Sequence, residues 1–63
     1  MKTTYTTATG HTFTIRTIHY PGAGFTAVAQ ADDHNMTIKI NRPWANERLA
    51  VEMMTRKIER TIG

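Results

Sequence analysis

One stretch, Arg42 to Gly63, carries the only long helical periodicity in this chain. It reads RPWANERLAVEMMTRKIERTIG. At 100° per residue Ala50, Val51, Met54, Ile58 and Ile62 share one side, with Trp44 at its upper edge. Arg48, Glu52, Thr55 and Glu59 take the opposite side. Leu49 and Met53 belong to neither group. With Arg56 and Arg60 they follow i, i+4, i+7 and i+11, a second and narrower stripe. A helix lying on a small sheet buries a stripe of roughly 100° or more, and the apolar arc here is about twice that. The surplus marks Leu49, Met53, Arg56 and Arg60 as a candidate protein interface.

The remainder of the chain reads as strands. MKTTYTTAT suits a strand because Thr and Tyr favour extended backbone, and with Tyr5 as its one large apolar side chain it is placed at an edge. Gly10-His11 is a turn. Thr12–Tyr20 follows, with Phe13 and Ile15 on one face and Thr12, Thr14 and Arg16 on the other. Ile18 and Tyr20 have the wrong parity for that pattern. A bulge near Arg16-Thr17, or a twist that buries the other face at the strand end, would account for them. Pro21-Gly22-Ala23-Gly24 is a turn. A phosphate-cradling role for it is weak, because such loops lead into a helix and this one leads into FTAVAQA. There Phe25, Ala27, Ala29 and Ala31 share a face that lets a helix approach closely. Asp32–Asn35 has hairpin-turn composition. From Met36 onward the chain alternates, with Met36, Ile38 and Ile40 inward. Asn41 or Asn46 can cap the helix, and Pro43 fits only its first turn.

These readings give an α+β fold in one domain, residues 1–63: a four-stranded antiparallel β-meander, ββββα, with the C-terminal helix packed on one sheet face. The expected core is Phe13, Ile15, Phe25, Met36, Ile38, Ile40, Ala50, Met54 and Ile58. The face away from the helix would carry Thr4, Thr6, Thr12, Thr14, Thr26 and Thr37 with Arg16, Gln30 and Lys39, a solvated and mildly basic surface.

Size and composition narrow the functions. A chain of 63 residues buries only about 60% of its unfolded surface. It has no cysteine, hence no disulfide and no thiolate zinc site. Self-association is one remedy for so thin a core. No apolar run approaches the roughly 20 residues of a membrane span, and no leader-like segment follows the start, so a cytoplasmic location is expected. There is no serine, and the twelve threonines carry no nucleophile signature. His11, His19 and His34 lie near turns. Asp32-Asp33-His34 could bind a metal or orient a general base, but its spacing matches no ligand motif and a solvated hairpin tip accounts for it. The chain is accordingly read as non-enzymatic, with no cofactor, metal or small-molecule substrate.

Eight Lys and Arg against five Asp and Glu give a net charge of +3. Interleaved acids dilute the basic residues, where an electrostatic footprint would be clustered. In its size, lack of cysteine and missing catalytic signature the chain resembles small phage or mobile-element accessory proteins, anti-CRISPR inhibitors among them. That resemblance rests on style and assigns no residue. The leading expectation is a binding protein that regulates or inhibits by occluding a surface on a larger protein. The first alternative is a DNA- or RNA-binding module using Arg16, Lys39, Arg56 and Arg60. The second is an assembly subunit acting as an oligomer, in which a two-fold homodimer would set Leu49 near Met53 of a second copy.

Overall fold

The computed structural model describes residues 2–32 and 35–62. Four strands, β1 (Lys2–Thr6), β2 (Thr12–Tyr20), β3 (Gly24–Ala31) and β4 (Thr37–Lys39), form one antiparallel sheet in the order β1-β2-β3-β4. The helix α1 (Glu47–Ile62) packs on one face, mainly against β3 and then β2 and β4. The short strands β1 and β4 are the edges. Asp33 and His34, the tip of the proposed Asp32–His34 cluster, lie outside the described residues.

The core follows the alternation. Phe13 and Ile15 from β2, Ala27, Ala29 and Ala31 from β3, Ile38 from β4 and Ala50, Met54 and Ile58 from α1 are all buried. The three alanines project little above the backbone, and α1 settles directly over β3. Phe25, Met36 and Ile40, expected in the core, are half-buried and pack at its margin. Two carboxylates tie the helix to the sheet at its two ends. The Thr17 hydroxyl donates to Glu47 Oε2 at 2.7 Å, and the Tyr5 hydroxyl donates to Glu59 Oε2.

Three expectations are corrected. The β2–β3 register runs unbroken from Phe13↔Ala31 to Tyr20↔Gly24, so no bulge rescues the parity of Ile18 and Tyr20. Nor does the strand end bury them: they stay exposed on the face away from the helix. Thr26, counted with the solvated threonines, is only 7% exposed and lies at the bottom of a concavity lined also by Ile18, Tyr20 and Pro43. The helix begins at Glu47, not Arg42. Asn46 caps it, its Oδ1 accepting the Leu49 N–H at 2.9 Å, as expected of an Asn whose side chain satisfies a first-turn donor. Pro43 and Trp44 therefore lie outside the helix.

What Trp44 does instead shapes the molecule. Ile40 N–H still donates to the Ala27 carbonyl at 3.2 Å. Asn41, Arg42 and Pro43 then leave the ladder, as a proline without an N–H must. Pairing resumes at Trp44, which exchanges backbone hydrogen bonds of 2.7 and 2.8 Å with Phe25. The approach is so close that a Cβ on Gly24 would stand 2.3 Å from the Trp44 carbonyl oxygen. Gly24 also has φ +129°, a region L side chains rarely adopt.

Candidate binding surfaces

Rejoining the sheet at Trp44 opens a groove between the 40–44 segment and α1. Ile40, Asn41, Arg42, Trp44, Met53, Arg56, Lys57 and Arg60 line it, and it encloses about 490 Å³. Its apolar surface is Trp44, Ile40 and Met53. Around them stand Arg42, Arg56, Lys57 and Arg60, with no acidic residue among the described residues of the lining. The Arg42 guanidinium lies 4.8 Å from the Trp44 ring centroid, within cation–π range. Lys57 donates to the Lys39 carbonyl on the outer edge of β4. Arg56 reaches back one turn to Glu52 at 3.4 Å.

The open face of the sheet is the second surface, and the register orders it in rows. Lys2, Arg16, Val28 and Lys39 are successive cross-strand partners, so one row crosses all four strands. The neighbouring row is Thr4, Thr14, Gln30 and Thr37. On the other side of the cations stand Ile18 and Tyr20, 39% and 49% exposed. Asp32 closes one corner, accepting the Thr14 hydroxyl at 3.0 Å.

The charge pattern has a physical cause that linear order conceals. Glu47, Glu52 and Glu59 are engaged with Thr17, Arg56 and Tyr5. The Thr17 hydroxyl holds the Glu47 carboxyl below its ordinary pKa, since a bond to the charged form favours it. The Tyr5 phenol is pushed up, first by its hydrogen bond to Glu59 and then by burial. With the glutamates occupied at the helix, seven of the eight basic residues gather on the two surfaces.

Of the interface residues anticipated from sequence, Met53, Arg56 and Arg60 line the groove. Leu49 is half-buried one turn toward the helix start, outside that lining. The four residues considered for nucleic acid are divided: Arg56 and Arg60 stand in the groove, Arg16 and Lys39 on the open face. Sequence reasoning missed Trp44, Arg42 and Lys57 in the groove. The helical period places Lys57 beside Met53 at i+4, a signal that could have found it; nothing local announces that Trp44 folds back. His19 stacks on Phe25, with ring centroids 4.5 Å apart. Among the described residues no three His, Asp or Glu side chains come together as a metal site. No protein-family model, curated protein or solved structure matches the chain.

Proposed function

We propose that this protein is a non-enzymatic binding protein of the cytoplasm that regulates or inhibits a larger protein by covering part of its surface. The groove beside α1 is the contact. One observation carries the reading: four cations surround an apolar floor of Trp44, Ile40 and Met53, with no acid among the described residues of the lining. Met, Trp and Arg are the residue types that enrich protein interfaces. The complement is an acidic segment with an apolar anchor, its side chain seated against Trp44 and Met53 and its carboxylates facing Arg42 and Arg60. Guanidinium pairs with carboxylate in a fixed fork, which would orient that segment.

Affinity capture from the native host tests this with two variants. Met53→Glu places a carboxylate where burial is costly in the complex, and Arg60→Glu reverses an exposed charge. The wild-type chain should retain a protein that both variants, still folded by circular dichroism, release. A partner retained equally by Arg60→Glu and Met53→Glu overturns the assignment, as does sedimentation showing that the wild type simply pairs with itself through this stripe. If Met53→Glu unfolds, Arg60→Glu still decides.

A further inference from the structure

The open sheet face is not explained by folding. Lys2 and Arg16 are directly opposed across β1 and β2, and like charges so placed destabilise a strand pair. Lys39 continues their row on β4, about 10 Å beyond Arg16 at the usual strand spacing. Among the described residues no ion pair joins any of the three to an acid. Two shallow concavities of about 390 and 400 Å³ flank the row and meet at Val28. The first offers the Gln30 amide, with the Thr14 hydroxyl held by Asp32 at its far corner. The second is floored by Ile18, Tyr20, Thr26 and Pro43.

We propose that this face binds single-stranded nucleic acid, with phosphates along Lys2, Arg16 and Lys39 and unpaired bases against Tyr20 and Ile18. A backbone-tracking positive row beside an aromatic platform is how sequence-tolerant single-strand binders work. The Gln30 and Thr37 side chains supply donors for sugar and phosphate oxygens. Paired and stacked bases cannot reach Tyr20, which sets a single strand apart from a duplex. A second copy is the wrong occupant, because two such faces would oppose cation row to cation row. The cation row lies on the face of the sheet away from the groove, and the two sites share only Ile40 and Asn41, so one chain could hold a protein and a strand together.

The test is fluorescence anisotropy with labelled oligothymidylate and oligouridylate of about 12 nucleotides, titrated at several salt concentrations. Three phosphate contacts predict that log K falls against log salt with a slope near 2, at about 0.7 per contact for single strands. Lys2→Gln, Arg16→Gln and Lys39→Gln should each weaken binding and lower that slope by about 0.7. Tyr20→Ala should weaken binding about tenfold or more through lost stacking while leaving the slope unchanged. Arg60→Gln, in the groove, should bind as the wild type does. No anisotropy change at tens of micromolar protein and low salt overturns the proposal. So does binding that Arg60→Gln abolishes and Arg16→Gln spares. Equal binding of a duplex, or of polyglutamate in place of the oligonucleotide, likewise rejects a single-strand site.

Discussion

Successive residues of β2 and β3 face opposite ways, so the covered and open sides of the sheet can be compared at adjacent positions. Ile15 and its partner Ala29 are wholly buried under α1; one step along, Arg16 is exposed opposite half-buried Val28. The covered side holds apolar groups complementary in size, large Phe13 and Ile15 from β2 and small alanines from β3. The open side sets three cations in a row and leaves Ile18 and Tyr20 in water. Stability is concentrated on one side, which frees the other to carry charges and apolar groups that folding would not select.

Substitutions at matched positions test that division most directly. Phe13→Ala empties a site closed to solvent and should cost about 3–5 kcal/mol, enough to unfold much of so small a domain. Ile38→Ala on β4 should cost about 2–5 kcal/mol. Urea melts at neutral pH measure both. A loss below about 1 kcal/mol at either position would mean that the covered side is not the stabilising one.

Gly24→Ala comes next. The left-handed backbone alone should cost about 1–3 kcal/mol, and the added methyl would overlap the Trp44 carbonyl. Gly22 is the control, since its φ is +84° but nothing lies within 4 Å of its Cβ position. Both variants carry the backbone penalty, but only Gly24→Ala should shift Trp44 fluorescence by parting residue 44 from Phe25. Equal spectra would show that the bridge does not depend on the glycine. Asn46→Ala removes the helix cap and should cost about 1 kcal/mol in the same melts.

The strand content, their order and the covered face are legible in the sequence because alternation reports them one residue at a time. The aliphatic helix face Ala50, Met54 and Ile58 is legible for the same reason, at a different period. The helix start is not, since Pro43 and Trp44 fit a first turn as well as a detour from a strand. Only the Phe25–Trp44 pairing, between residues far apart in the chain, decides it. Ile18 and Tyr20 show the limit most clearly. Their broken parity is visible, but reading apolar as buried turns it into a bulge or a twist, where the strand simply continues and exposes them. The groove was half visible, through Met53, Arg56 and Arg60. Its other wall comes from Arg42 and Trp44, whose position depends on that same long-range pairing.

The two carboxylate ties sharpen the comparison through pH. Glu47 has a lowered folded pKa owing to the Thr17 hydroxyl. Its contribution is therefore present above the ordinary carboxylate pKa and lost as pH falls through the folded one. Tyr5 has a raised folded pKa owing to Glu59, so its contribution is present below the ordinary phenol pKa and lost as pH rises through the folded one. Neither tie adds a slope to stability between those limits. Glu47→Gln should shrink the acid decline and Tyr5→Phe the alkaline one, both read from thermal melts across pH. An unchanged alkaline limb in Tyr5→Phe would remove the second tie.

The smallest effect is expected where the open face is most apolar. Replacing Ile18 and Tyr20 together by Thr removes side chains that are 39% and 49% exposed, so much of their apolar area already meets water in the folded chain and adds little to folding. Threonine is itself β-branched and favoured in strands. The cross-strand partners, Thr26 and Gly24, are small and lose few contacts. The double variant should therefore match the wild type within about 0.5 kcal/mol in urea. A cost above about 1 kcal/mol would mean that Ile18 and Tyr20 close over Thr26 as a second small core. The open side would then be part of what holds the fold together, and the contrast between the two faces would be one of degree.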